Sequence, residues 1–218
     1  MTRIPSRRSL RVTAGGYAGR GPLGSLVRRL SAGTLLLGAL VLAPPSLAQE
    51  RPDPAAALAA QRAALSRLAF LDGIWRGPAW TILPNGEKHT LTQTERVGPF
   101  LDGAVRVVEG RGYDAEGKLA FNAFGTISYD HPTASYRMRA YAQGNYGDFA
   151  LQVKERSFTW EIPAGPATIR YTATIGDGTW TEFGERIIPG QEPVRFHEMH
   201  LLRVGDTDWP AAGAAGPN

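Results

Sequence analysis

Glu198 and His200 stand two residues apart in the last apolar stretch of the chain, Val194–Val204. On an extended strand that spacing puts both on one face. Val194, Phe196, Leu202 and Val204 share this face, and Arg195, His197, Met199, Leu201 and Arg203 take the other. The first set is the more apolar, so parity predicts that Glu198 and His200 point inward. A buried carboxylate needs a partner or it takes up a proton. The imidazole is one candidate partner, and Arg137 or Arg139 is another. Such a pair can orient a ligand in an apolar pocket, serve as a general acid and base, or simply close a buried hydrogen bond. A second stretch has the same character. His89, Leu91, Gln93, Glu95 and Val97 alternate with Lys88, Thr90, Thr92, Thr94 and Arg96, which predicts that Glu95 faces the interior as a third polar member.

Other chemistry finds little support. The chain has no Cys, and it contains neither a Gly-x-Ser-x-Gly elbow nor a phosphate loop. His197 and His200, three apart, fall on opposite faces of a strand and lack the helical spacing of a zinc-protease motif. No metal site is expected, and no carboxylate spacing singles out a catalytic pair. Gly110-Arg111-Gly112 lies inside a strand pattern and marks a bulge or close packing. Trp80, Trp160, Trp180 and Tyr171 read as core, while Trp75 and Tyr141 are expected to line a pocket with the polar group.

These residues need strands to position them. From Gly73 onward, apolar runs alternate with turn residues: Pro84-Asn85-Gly86, Asp114-Ala115-Glu116-Gly117, Asp130-His131-Pro132-Thr133, Gly144-Asn145, Gly176-Asp177-Gly178 and Pro189-Gly190. They delimit about nine or ten strands in one meander with short connections, which favour antiparallel neighbours. A long meander removes its exposed edges most simply by closing into a barrel. The expected fold is therefore all-β, a closed antiparallel up-and-down barrel over residues 73–204. Ahead of it, residues 49–72 form a lead-in and a short helix, Pro54 to Leu71, with Leu58, Leu65 and Leu68 on one face. The tail, 205–218, is rich in Ala, Gly and Pro and is expected to be disordered.

Residues 1–48 read as a signal peptide. They hold seven Arg and no acidic residue, then an apolar run from Ala32 to Ala43, and then Ser46-Leu47-Ala48, a small-x-small site for cleavage before Gln49. The run is shorter than the ~20 residues a membrane span needs. A secreted or periplasmic protein without a membrane span after cleavage follows. The full chain carries 24 basic and 20 acidic residues; without the seven leader Arg it carries 17 against 20, a net charge of −3. That balance gives no electrostatic case for nucleic acid. A small molecule is the expected partner.

Leu68-Ala69-Phe70-Leu71-Asp72-Gly73-Ile74-Trp75-Arg76-Gly77 resembles the first segment of lipocalin-like (calycin) barrels, in which a short helix plugs one end and Gly-x-Trp opens the first strand. Glu95 ahead of Phe100-Leu101-Asp102-Gly103, Ile127-Ser128-Tyr129-Asp130 with Tyr136, and Met199-His200-Leu201-Leu202-Arg203 resemble, in order, a family of uncharacterised secreted bacterial barrels. The resemblance implies binding of a small apolar or amphipathic molecule without catalysis or cofactor. It also implies that Arg203 packs over Trp75. The Gly-x-Trp-x-Gly segment is similar to nitrobindin-like barrels too, which implies haem held by His200 or His197, although that group's iron-ligating His aligns with Glu198.

Overall fold

The computed structural model describes residues 53–209. The expected signal peptide, its cleavage point before Gln49 and the tail beyond Trp209 lie outside the described residues.

Helix α1 (Pro54–Ser66) begins at Asp53, whose carboxylate accepts a hydrogen bond from the Ala55 amide at 2.9 Å. Pro54 sits in the first turn, where its missing N–H is no loss. The helix is shorter than the sequence suggested, because a separate 3-10 turn (Ala69–Leu71) follows. Leu65, Leu68 and Leu71 are fully buried, whereas Leu58 is 39% exposed. Seven residues of helix are about 10 Å of rise, which carries Leu58 beyond the barrel end.

Ten strands follow: β1 (Gly73–Ile82), β2 (Lys88–Phe100), β3 (Val105–Tyr113), β4 (Leu119–Asp130), β5 (Ser135–Ala142), β6 (Asn145–Lys154), β7 (Ser157–Ala164), β8 (Ala167–Gly176), β9 (Thr179–Ile187) and β10 (Val194–Gly205). Each pairs antiparallel with its sequence neighbours, and β1 pairs with β10 to close the barrel. The turn expected at Gly144-Asn145 lies one residue earlier. Gln143 and Gly144 have φ of 50° and 81°, the two positive values of a type I′ hairpin turn, and Asn145 pairs with Ala142.

The core sits at the end that α1 covers. Leu65, Leu68 and Leu71 pack on Trp75, Val97, Ile127, Ile175, Trp180 and Leu201. Trp75 Nε1 donates to the Leu71 carbonyl at 2.9 Å, and its ring meets Trp180 edge-on at 5.8 Å. Arg106, 4% exposed, ties the plug to the wall. Its Nε and Nη2 donate to the Asp72 carboxylate at 2.6 and 2.5 Å, and Nη1 donates to the Leu65 carbonyl. Tyr136 Oη donates to the Ala64 carbonyl at 2.9 Å. A buried guanidinium is tolerable here because its donors are bonded on both sides.

The seam explains the second glycine of the Gly-x-Trp-x-Gly segment. A Cβ on Gly77 would lie 2.0 Å from the His200 carbonyl oxygen, so β10 can approach only a glycine. Arg203 is the cross-strand partner of Trp75. Its guanidinium goes to the Asp72 carbonyl at 3.4 Å and to Asp206 at 2.7 Å, whereas the cation–π stacks fall elsewhere, such as Lys88 on Trp80 at 4.4 Å. Residues 205–209 are packed rather than disordered. Gly205 ends β10, Arg96 donates to Asp208 at 3.0 Å and lies 4.1 Å from the Trp209 ring, and Thr207 and Trp209 fill the space a Cβ would take at Gly98.

Candidate functional site

The last strand does not present the face that its apolar residues suggested. A β-bulge between Arg195 and His197 shifts the register and inverts the parity beyond it. Met199 and Leu201, 3% and 1% exposed, point inward, while Leu202 and Val204 lie on the surface. Glu198 and His200 therefore stand on the outer wall. They do meet, with His200 Nε2 and Glu198 Oε1 2.6 Å apart, but the His200 side chain is 58% exposed. The hydrogen bond from His200, helped by Arg195, holds the Glu198 carboxyl below the usual range. Arg195 stacks on Phe183 at 4.1 Å. This is a surface ion cluster, and it lines no lumen.

Two further expectations are corrected. Tyr141 is 45% exposed and pairs with Phe124 on the outer wall, next to Tyr146 at 6.3 Å between ring centres. Arg137 and Arg139 share that outer face, and Arg139 is bound to Asp148 at 2.7 Å. Trp75, 1% exposed, belongs to the plugged end and has no surface to offer a ligand.

Glu95 faces inward, as expected, and it has company. Gln93 Nε2 donates to Glu95 Oε1 at 2.7 Å, and both side chains are buried. They fit because β3 places Gly110 opposite Glu95 and Gly112 opposite Gln93. A Cβ at Gly110 would come within 2.8 Å of the Glu95 carboxylate, and one at Gly112 within 3.1 Å of the Gln93 amide oxygen. The Gly-Arg-Gly segment is thus the cradle of this polar pair, and a bulge follows it between Gly112 and Tyr113.

The second interior acid is Glu182, which the sequence did not single out. On β9 it pairs with Ala173 on one side and Met199 on the other, both buried, so it points into the barrel. Burial raises Glu95 to a pKa of about 8 against the pull of its Gln93 hydrogen bond, with the carboxylates of Glu182 and Glu109 adding to the rise. Burial raises Glu182 to about 7, opposed by the neighbouring Trp180 indole. That indole N–H is buried and has no partner at ordinary hydrogen-bond geometry. A signal for Glu182 existed in the alternation Trp180-x-Glu182-x-Gly184. Phe183 and Ile187 on the opposite face made the direction ambiguous.

Toward the unplugged end an aromatic arc lines the lumen. Phe149 and Trp160 lie 5.2 Å apart, Trp160 and Tyr171 stack at 4.5 Å and 12°, and Phe196 and His197 each lie 5.9 Å from Tyr171. Gly184 makes room for them, since a Cβ there would touch Tyr171, Phe196 and His197 within 3.2 Å. Burial lowers the His197 pKa and pushes the Tyr171 phenol up to about 12, so both are neutral near pH 7. Trp160, Tyr171, Glu182 and His197 all face inward yet keep part of their surface accessible. They differ in this from the sealed core below, where Trp75, Ile175 and Leu201 are fully buried.

No protein-family profile and no curated protein matches this chain. Several solved structures are similar in shape, two of which follow. Rv2717c from M. tuberculosis aligns over 65% of this chain and 97% of its own, with a TM-score of 0.51 and 13% identity. The S-type phycobiliprotein lyase CPES from Guillardia theta aligns over 68% of this chain and 97% of its own, with a TM-score of 0.44 and 8% identity. At these identities the likeness concerns architecture alone.

Proposed function

We propose that the barrel binds a small amphipathic molecule in its lumen without chemical conversion, and that it works outside the cytoplasm after loss of residues 1–48. One observation carries the lumen: inward residues that keep accessible surface join an aromatic arc to a polar group at mid-depth. Apolar walls with a few convergent polar groups are the usual make-up of a small-molecule site. The plugged end gives the site a floor, and the rings give it non-specific contact. The Glu198–His200 pair has no part in it, so acid–base chemistry there would act on the outer surface. Haem is the second reading, favoured by His197 alone. That imidazole faces the lumen beside Tyr171 and is held neutral, which is the ligating form; His200, on the outer wall, does not fit.

The test is uptake of an apolar fluorophore, with Trp160→Ala as the lumen variant and Tyr141→Ala as an outer-wall control. Uptake weakened by the first and unaffected by the second is the expected result. No uptake by the wild-type protein would end the lumen reading. A Soret shift on adding haem that His197→Ala abolishes would replace it with haem.

A further inference from the structure

We infer that the lumen selects an organic ammonium: a ligand whose ring or chain lies on the aromatic arc and whose protonated amine meets the Glu182 and Glu95 carboxyls. This rests on the lumen reading above and adds the charge of the ligand.

Two inward carboxyls lie close enough to repel one another, and among the described residues no cation answers them. The inward guanidinium of Arg106 is committed to Asp72 and the Leu65 carbonyl at the plug. Arg186 stands exposed near the end of β9. His197 and Tyr171, the titratable groups facing this level from β10 and β8, are neutral; His89 shares the inward face of β2. Glu109 acts on Glu95 from the outer wall, where it is paired with Arg96 and Arg111. Gln93 satisfies one oxygen of Glu95. Glu182 makes no side-chain hydrogen bond of ordinary geometry among the described residues, and only the Trp180 indole beside it favours its ionised form. Two carboxyls in an apolar wall with no cation beside them are costly to ionise. A positive ligand removes the conflict. The rings supply apolar contact for the rest of such a ligand.

A consequence is proton release. Without ligand, the raised pKa values keep the pair partly protonated near neutral pH. An ammonium favours the ionised forms, so its binding expels protons and strengthens as pH rises. If the ionised form of Glu182 is the binding form, affinity falls about tenfold from about pH 8 to about pH 6.

The experiment compares naphthylmethylamine with naphthylmethanol, which share a ring and differ in charge. Binding to the full exported chain is measured by calorimetry in two buffers of different ionisation enthalpy, across that pH range. The expected result is an amine at least tenfold tighter than the alcohol at the higher pH, with protons released, a tenfold loss at the lower pH, and a pH-independent alcohol. In Glu182→Gln, and to a lesser degree in Glu95→Gln, the preference should collapse while alcohol binding persists, which also shows that the variants are folded. Equal affinity for both probes, or a preference that survives both substitutions, overturns the inference and leaves the lumen site standing. Failure of both probes to bind overturns both readings.

Discussion

Replacing Glu95 with Gln should stabilise the protein, increasingly so as pH rises. Glu95 is 8% exposed and its carboxyl is raised from 4.5 to about 8. The folded state therefore holds this proton over a range where the unfolded chain has released it. Stability then falls as pH climbs from the unfolded value, and the loss is complete above the folded one. From about pH 5 to about pH 9 this one group removes about 4 kcal/mol, at 1.36 kcal/mol per unit of pKa difference. That is a large fraction of the ~5–15 kcal/mol of a typical domain. Gln has the shape of Glu, its carbonyl can still accept from Gln93, and Gly110 leaves the same room, so the substitution should remove the penalty without opening a cavity. Glu182, raised by burial to about 7, adds a fall of the same sign in wild type and variant alike. The assay is urea unfolding at the two pH values, with the slope checked for constancy. The expected outcome is near-equality with wild type at the lower pH and a gain of several kcal/mol at the higher. A variant that is less stable at the higher pH, or that tracks wild type throughout, would show that Glu95 is ionised and compensated in the fold.

Two further outcomes are expected. Arg106→Met should cost about 3 kcal/mol in the same unfolding assay by leaving the Asp72 carboxylate and the Leu65 carbonyl unanswered, and adding Asp72→Asn should recover part of it; full stability of the single variant would refute the role of this latch. Mass spectrometry of exported protein should give a chain that begins at Gln49, and retention of Leu35–Leu37 would refute the leader reading.

The meander was legible in the sequence because turn chemistry is local. Pro84-Asn85-Gly86 and Asp177-Gly178 announce hairpins whatever surrounds them, and once every connection is short, closure follows. The inward face of β2 was legible too, since Thr90, Thr92, Thr94 and the two basic residues leave only one side to bury. Even the Gly-Arg-Gly segment declared that something would come close. What occupied that space, the Gln93 and Glu95 side chains from the neighbouring strand, depended on register between strands. Register also decided the last strand. One extra residue at the bulge between Arg195 and His197 turned Glu198 and His200 outward and brought Met199 and Leu201 in. A period-two pattern cannot reveal such a slip when both faces carry apolar residues. Glu182 was hidden for the same reason: Phe183 and Ile187 made its own strand ambiguous, and its direction was settled by its partners Ala173 and Met199. The sequence by itself determined the strands, the turns and the helix that plugs them. The tertiary structure alone decided which polar side chains share one low-dielectric chamber, since that depends on residues far apart in the chain meeting across a closed sheet.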